Sequence, residues 1–447
     1  MDGANRTAGR GQLRTMQIRW PDKLLGPPPG MKEINLACWA QFIALLSLFF
    51  FLFGAQIRNQ SGFLRGWHCG FIYFYGIGQI VNEYPSVRIY DYSLQQKIFN
   101  GINPAPEGFY GPSPYPPFVA LFFSLFARLP FNWAYVFWAA TSLALYIAGI
   151  EAALRGVFPG EPLKHSLILC LALEFCPFIL YTLVNGQVAT IAVASVGLAI
   201  LQENQSKPFR SGLALSILAY KPTLLLLLIP MLFLTRRFKT LSGFAAGAAM
   251  LGAAATVFFG IQIWPAYVRF LRLFGHVAGL TGNSGLNLAK YIDFSSFSYL
   301  VPGGRSAAGL TILISVTVTV AASLAALLWK SATSGRPAQT IAWAATLTWT
   351  LLLNVYVPIY DSILVVIAIV LTLGALKELR WSAAMGWFIL LSFSIFAVSW
   401  GTVGIAQSYR IQLLSILLGV LGVGQLFLLH RAIREKPMKS NDRLLAE

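Results

Sequence analysis

Long apolar runs alternate with short polar loops along most of the chain, from residue 33 to residue 430. Many of these runs approach the length of about 20 residues that a helix needs to cross the hydrocarbon core of a bilayer. Backbone groups in lipid must hydrogen-bond within their own segment, so the runs predict helices. The pattern therefore predicts an all-α, polytopic membrane protein with about twelve transmembrane segments.

One apolar stretch, residues 211–235, is interrupted at Lys221-Pro222 and is flanked by basic residues at both ends. Because basic loops stay on the cytoplasmic side, we expect this stretch to enter the membrane and return as a broken hairpin with Lys221 at its turn. The hairpin counts as two segments. The predicted segments are 33–55, 132–153, 165–183, 188–202, the hairpin 211–235, 240–260, 306–329, 338–354, 363–377, 384–400 and 411–430.

Two longer polar loops are predicted on the opposite side of the membrane. The first outer loop, 58–131, contains an apolar run at 116–128 that is too short to cross, so we expect interfacial or re-entrant helices there. The second outer loop covers 261–304. The predicted organisation is a basic cytoplasmic N-terminus at 1–32, a single transmembrane domain at 33–430 and a cytoplasmic tail at 431–447.

Composition supports a membrane protein and indicates its orientation. The chain is 57% hydrophobic and 11% charged, with a net charge of +17. The basic residues are dispersed among the spans, which indicates the positive-inside rule rather than nucleic-acid binding. We expect a multi-pass protein of the plasma membrane with both termini in the cytoplasm, in contact with membrane lipids and with no nucleic-acid partner. The four cysteines and four histidines are scattered, so no metal or other cofactor is expected.

Two charged residues lie where charge is costly. Lys221 interrupts a long apolar stretch, which favours a functional role, although a lysine that extends to the membrane surface is the alternative. Asp361 follows Asn354 and Pro358 at the outer mouth of the predicted span 363–377. There it could cap the helix, act as a catalytic carboxylate, or do both, because a helix N-terminus keeps a carboxylate ionised.

Further polar candidates lie in the predicted outer loops. Glu83 and Asp91 are carboxylates that could take a proton from an attacking sugar hydroxyl, or they are solvated loop acids or helix caps. The Asn-Gly-Gln segment at 185–187 is typical either of a tight turn or of a polar site element. His276 and Asp293 are expected to be surface residues.

In these residues the chain resembles the polyprenol-phosphate-dependent glycosyltransferases of family 87, the DUF2029 proteins, which include mannosyltransferases and have the GT-C fold. The resemblance covers roughly residues 65–380. The matching pieces, in order, are FIYFYGIG from Phe71 with Tyr90-Asp91 after it, the YPPF…LP segment from Tyr115 to Pro130, Asn185-Gly186-Gln187, SGLALSILAYKP from Ser211 to Pro222, Arg236-Arg237, and NVYVPIYD from Asn354 to Asp361.

The resemblance implies a GT-C-like enzyme that moves a hexose, with mannose as the expected sugar, from a polyprenyl-phosphate donor. The acceptor would be an extracytoplasmic glycolipid or glycan, and the transfer would invert the anomeric carbon. Family members often have an acid where this chain has Gly70, so Asp91, Asp361 or Glu83 would have to be the base. The residues expected to bind substrate are Tyr75, Tyr90, Tyr115, Asn185, Gln187, Lys221, Arg269, Arg272, Tyr356 and Tyr360.

Two other classes of protein share some of these features. A transporter or lipid flippase also has broken helices and intramembrane charges, although it more often shows inverted repeats, which this chain lacks. A non-catalytic lipid-glycan binding protein is the third interpretation, because glycine at position 70 cannot act as a base.

Overall fold

The computed structural model describes residues 69–104, 110–277 and 287–434, together with Leu36, 39–44, Ser47 and Phe51 of the preceding segment. The predicted basic N-terminus 1–32, most of the predicted span 33–55 and the tail after residue 434 lie outside the described residues.

Every named element in the described ranges is helical, as the apolar pattern predicts. The predicted first outer loop contains α1 (Cys69–Glu83), α2 (Tyr92–Ile102) and α3 (Pro117–Phe126). The α-helices that follow are α4 (Phe131–Val157), α5 (Pro162–Leu173), α6 (Ala189–Asn204), α7 (Pro208–Ser216), α8 (Leu228–Leu234), α9 (Phe238–Phe259), α10 (Ile263–Val277), α11 (Phe294–Leu300), α12 (Ala307–Ser331), α13 (Arg336–Leu352), α14 (Leu364–Glu378), α15 (Ser382–Ser399), α16 (Thr402–Tyr409) and α17 (Leu413–Arg434). Short 3₁₀ segments cover Ser86–Tyr90, Ile217–Tyr220, Pro222–Leu225, Leu288–Lys290 and Ile359–Ile363, and a π-helical segment covers Pro177–Val184.

Six described helices are long and apolar enough to cross a membrane: α4, α9, α12, the stretch Ile359–Glu378 that includes α14, α15 and α17. A bent pair, Lys164–Leu173 and Pro177–Val184, turns by 60° and makes a seventh if it is one span. The predicted count of twelve is not confirmed, because α6 has 16 residues and α13 has 17, and the chain around Lys221 forms only short helices. These segments are helical where predicted but are shorter than a full crossing.

Burial separates a central helix from a peripheral one. In the stretch Ile359–Glu378, 89% of the apolar 18-residue window is buried within the protein, whereas in α12 the corresponding share is 6%. The first is therefore surrounded by other helices, and the second presents apolar side chains such as Ile312 and Ile314 to its surroundings. A lipid-facing surface explains a helix that is apolar on all sides yet exposed.

The chain around Lys221 is a broken hairpin, as the flanking basic residues predict. Near its start α7 packs directly against the backbone of α9: a Cβ atom at Gly212 would overlap the Thr240 carbonyl, and one at Gly243 would overlap the Phe209 carbonyl. Glu203, before α7, forms an ion pair with Arg237, after α8. Residues 208–234 therefore begin and end on the same side of the molecule.

The hairpin breaks at Lys221 for a local reason. Pro222 has no amide hydrogen, and its ring disfavours helical geometry in the residue before it. Lys221 accordingly has φ −136° and ψ 82°, between the 3₁₀ segments Ile217–Tyr220 and Pro222–Leu225. The Asn354 side chain donates to the Thr223 carbonyl at 2.7 Å, which ties the hairpin tip to the end of α13.

Candidate functional site

The hairpin tip and the start of the central helix bring Lys221 and Asp361 together. The Lys221 ammonium donates to Asp361 Oδ2 in an ion pair between residues that are 140 positions apart. The Asp361 side chain is 1% exposed and the Lys221 side chain 17% exposed. Lys221 also lies over the ring of Tyr360, 4.9 Å from its centroid. Burying either charge alone would be unfavourable, and the two charges thus compensate each other at the edge of the core.

The position of Asp361 follows from the turn that precedes α14. Pro358 begins the turn, and the Asp361 amide donates to the Pro358 carbonyl at 3.0 Å. Residues Ile359–Ile363 form a 3₁₀ segment that continues into α14, so Asp361 lies in the first turn of the buried helix. Negative charge is favoured at this end of a helix.

Three tyrosines surround the ion pair. Tyr115 and Tyr360 are partly exposed and share a hydrogen bond, whereas Tyr220, next to Lys221, is buried. Among the described residues, the Tyr220 hydroxyl and Asp361 Oδ1 are buried with no hydrogen-bond partner. Buried polar atoms are rarely unpaired, so these two atoms mark a place where a bound group could supply the missing bonds.

Two other tyrosines hold Tyr115 in place through its backbone. The Tyr90 hydroxyl donates to the Tyr115 carbonyl at 2.9 Å, and the Tyr267 hydroxyl donates to the Pro114 carbonyl at 3.3 Å. The rings of Tyr90 and Tyr267 also pack with centroids 5.1 Å apart. Burial raises the pKa of Tyr115 and of Tyr90 well above their usual range, so both remain neutral donors at ordinary pH. Tyr90 therefore contributes by fixing the backbone of Tyr115 and does not itself contact the ion pair in a hydrogen bond.

Tyr75, which the sequence predicts to bind substrate, does not face the Lys221–Asp361 pair, and Tyr73 of the same FIYFY motif lies on the other side of the helix. The Tyr75 hydroxyl donates to the Leu129 carbonyl at 2.9 Å, away from the ion pair. Tyr73 lies on the opposite face of α1, where its hydroxyl accepts from the Gly111 amide at 3.1 Å, and it is one of the neighbours of Tyr360 and Tyr291. Residues two positions apart on a helix point about 200° apart, so the motif alone could not decide which tyrosine faces the site.

Asp293 is a buried residue, and the expectation of a surface position is wrong. Its side chain accepts from the Ser296 amide at 2.8 Å as the N-cap of α11 and from the Val357 amide at 2.7 Å. Burial raises the pKa of Asp293, and these hydrogen bonds oppose the rise. Asp293 thus joins the predicted second outer loop to the turn before Asp361. The side chain of His276 lies outside the described residues.

Tyr291 and Tyr356 lie beside this junction. Their rings meet edge to face with centroids 5.9 Å apart, and burial, with smaller contributions from neighbours that include Asp293 and Asp361, raises the pKa of Tyr291. Tyr356 has a left-handed backbone, with φ 53°, and is partly exposed.

The Asn-Gly-Gln segment fills the space beside Gly70. The Gly70 amide donates to Asn185 Oδ1 at 2.9 Å, and the Phe71 amide donates to the Asn185 carbonyl at 3.0 Å. A Cβ atom at Gly70 would overlap the Gln187 side-chain amide and would lie 2.7 Å from the Asn185 carbonyl oxygen. Position 70 is therefore packed against backbone, and an acid could not be added there without moving the segment.

The remaining candidates are placed away from the ion pair. Asp91 caps α2 by accepting from the Leu94 amide at 3.1 Å, and it pairs with Arg88 at 3.0 Å. Glu83 is exposed at the end of α1 and accepts from Gln79.

Arg269 and Arg272 lie on the exposed face of α10, opposite the buried face that carries Tyr267 and Phe270. The structure does not bring either arginine to Lys221.

The site has the materials for proton transfer and anion binding. It offers a carboxylate with one oxygen that has no hydrogen-bond partner among the described residues, an ammonium group and several phenol hydroxyls. The described ranges contain no group of three or more His, Cys, Asp and Glu side chains that could hold a metal ion.

A helical membrane protein with a charged, tyrosine-rich cluster at the ends of its spans belongs to the broad class of membrane enzymes and transporters. Comparison with protein families narrows this class. The model of glycosyltransferase family 87 matches residues 114–358, more than half of the chain, so the chain belongs to that family. Comparison with curated proteins and with solved structures gives no match. The family membership confirms the resemblance in the motifs and indicates a membrane glycosyltransferase.

Proposed function

We propose that this protein transfers a hexose, namely mannose, from a polyprenyl-phosphate donor to a glycolipid or glycan on the extracytoplasmic face of the plasma membrane. The matched segment 114–358 includes Tyr115 and Lys221 and ends just before Asp361. The observation that carries the proposal is the Lys221–Asp361 pair at the tip of a broken membrane hairpin. A charged pair at that depth favours a functional role over a structural one.

Asp361 is our choice for the base. Its Oδ2 is held by Lys221, and its Oδ1 has no partner among the described residues. In the proposed step, Oδ1 takes the proton of an acceptor hydroxyl while the hydroxyl oxygen forms a bond to the anomeric carbon. The bond from that carbon to the phosphate oxygen breaks on the opposite face, so the configuration inverts. The proton ends on Asp361, and the electron pair leaves with polyprenyl phosphate.

Lys221 is our choice for holding the lipid phosphate as a point charge. In the resting protein its partner is Asp361. A donor phosphate beside Lys221 competes with Asp361 for the ammonium, which leaves the carboxylate freer to accept a proton. Tyr115, Tyr220 and Tyr360 supply hydroxyls around the pair for the sugar. This division of roles explains why the Lys221 ammonium and the Asp361 carboxylate lie in contact before the substrate binds.

The test uses the full-length protein in lipid nanodiscs, with radiolabelled polyprenyl-phosphate mannose and a lipid extract as the source of acceptors. We expect transfer by the wild type and a loss of about 100-fold or more in Asp361→Asn. Glu83→Gln, which changes an exposed acid at the end of α1, is the matched control and should keep wild-type turnover. Asp91→Asn separates the two candidate bases, because loss in Asp91→Asn with retention in Asp361→Asn would assign the role to Asp91. Movement of the lipid across vesicles without cleavage of the glycosidic bond would instead support a flippase.

A further inference from the structure

Helix α10 begins where the candidate membrane span α9 ends. Phe259 is the last residue of α9, Gly260 turns the chain with φ 77°, and α10 begins at Ile263. The Trp264 indole donates to the Thr256 hydroxyl at 2.8 Å, which fixes the first turn of α10 against the last turn of α9. Since α9 is apolar and long enough to cross a bilayer, α10 begins at the level where that crossing ends.

The protein surface around this junction is apolar. Val257 and Phe258 at the end of α9 and Ile261 in the turn are all exposed, with Val257 at 82%. A group of large apolar side chains exposed together marks a surface that contacts something other than water. At the end of a membrane span that contact is lipid, so the junction between α9 and α10 lies against the bilayer.

One face of α10 packs into the protein and supports the candidate site. The ring of Tyr90 contacts two rings of this face, with centroids 5.1 Å from Tyr267 and 5.4 Å from Phe270. The Tyr267 hydroxyl also donates to the carbonyl of Pro114, the residue before Tyr115. Helix α10 therefore joins the edge of the bilayer to the backbone beside Tyr115.

The opposite face of α10 combines basic and apolar side chains. At about 100° per residue, Arg269 and Arg272 lie side by side in the middle of this face, with Val268 and Leu271 on one flank and Leu273 on the other. All five side chains are exposed, the three apolar ones by 39 to 47%. Within the described parts of the chain no carboxylate forms an ion pair with either arginine.

The mixture of side chains indicates the environment of this face. In water, exposed valine and leucine side chains remain unburied and gain nothing, whereas in the centre of the hydrocarbon two guanidinium groups are strongly unfavourable. At the boundary between headgroups and acyl chains both kinds of side chain are accommodated: the aliphatic groups reach the acyl chains, and each guanidinium can donate two parallel hydrogen bonds to a phosphate. The position of α10 at the end of α9 is that boundary.

We propose that α10 is an interfacial helix that binds anionic phospholipids of the bilayer through Arg269 and Arg272. The two guanidinium groups bind the lipid phosphates, and the three aliphatic side chains that flank them lie among the upper parts of the acyl chains. A lipid with a net negative charge is favoured over phosphatidylcholine, because the choline group places a positive charge beside the phosphate. The inference does not depend on the proposed transfer reaction, since neither arginine contacts the Lys221–Asp361 pair.

The test places a fluorophore on Val268→Cys in a cysteine-free form of the full-length protein, in phosphatidylcholine nanodiscs without sugar donor. The nanodiscs contain a titrated fraction of phosphatidylglycerol or, in parallel, of phosphatidylcholine, each with a nitroxide at the same upper position of its acyl chain. Quenching by either labelled lipid measures contact between α10 and the membrane. The ratio of the two association constants measures the preference of α10 for the anionic headgroup.

The arginines set the expected preference. An arginine at an anionic membrane surface favours binding by about fivefold, so the original pair should prefer phosphatidylglycerol by about 25-fold. Arg269→Gln and Arg272→Gln should each lower this preference to about fivefold, and the double variant should have almost none. Lys97→Gln, which removes one charge from the exposed side of α2, is the matched control and should keep the full preference. All four variants should keep the original melting temperature, because the changed side chains are exposed.

Four results would overturn the inference. Absence of quenching by both lipids would place α10 in water. Equal association of the two lipids with the original arginine pair would leave an interfacial helix without selectivity for anionic lipid. An equal loss of preference in Lys97→Gln would show a general effect of protein charge. Stronger displacement of labelled phosphatidylglycerol by polyprenyl phosphate than by unlabelled phosphatidylglycerol would assign the arginines to the sugar donor. Because no transfer is measured, failure here is distinguishable from failure of the proposed glycosyltransferase activity.

Discussion

The Lys221–Asp361 pair allows stability and catalysis to be separated by a double-variant cycle. Asp361→Asn removes the charge of a side chain that is 1% exposed and leaves the ammonium of Lys221, 17% exposed, without its partner. Removing one member of a buried ion pair costs about 3 to 5 kcal/mol. Lys221→Met leaves a buried carboxylate, which should cost a similar amount unless it takes up a proton. The double variant contains no unpaired charge and should therefore be more stable than the sum of the single losses predicts, by about 2 kcal/mol or more.

The assay is chemical unfolding of the three variants and the wild type in one detergent, followed by tryptophan fluorescence, with transfer activity measured on the same preparations. We expect the double variant to be more stable than the sum of the two single losses predicts and to have no activity. Additive losses of stability would show that the two side chains do not interact. Recovery of activity with stability would show that the pair is structural, and the proposed roles of Asp361 and Lys221 would be wrong.

Three further predictions follow from the packing and the predicted topology. Gly70→Asp should lower stability by about 1 to 3 kcal/mol without raising transfer, because the new side chain overlaps Gln187; chemical unfolding together with the transfer assay tests this, and a stable, faster enzyme would contradict it. Asn354→Ala should lower turnover about tenfold with a smaller loss of stability, because the hairpin tip loses its 2.7 Å hydrogen bond; unchanged turnover would mean that the tip is held by other contacts. In a cysteine-free background, Ser93→Cys should react with an impermeant thiol reagent in intact cells and Ser206→Cys only after permeabilisation; the reverse labelling would invert the topology.

The sequence alone was sufficient to select Lys221 and Asp361 but not to pair them. Each stands out because a charged residue in or beside an apolar run needs a reason. Their contact depends on the return of the hairpin and on the turn at Pro358, two events 140 residues apart, which no local pattern records. The hairpin itself was predictable, since it follows from Pro222 and from basic residues at both of its ends.

Other parts of the site were less accessible to sequence reasoning for specific reasons. Tyr73 and Tyr75 belong to one aromatic motif, and only the rotation of α1 decides which of them faces the cluster. Asp293 lies in a polar loop, yet it is buried because the Val357 amide, far along the chain, requires an acceptor. Gly70 stood out as a missing acid, whereas the structure adds that Asn185 and Gln187 occupy the space that a side chain would need.

A structure of the full-length protein with a bound polyprenyl-phosphate sugar tests the central claim most directly. The proposal predicts the phosphate within hydrogen-bond distance, about 3 Å, of the Lys221 ammonium, with the sugar among Tyr115, Tyr220 and Tyr360. It also predicts that the anomeric carbon faces Asp361 on the side opposite the phosphate. A donor bound with its phosphate away from Lys221, or with its sugar beside Asp91 instead of Asp361, would contradict the proposed site.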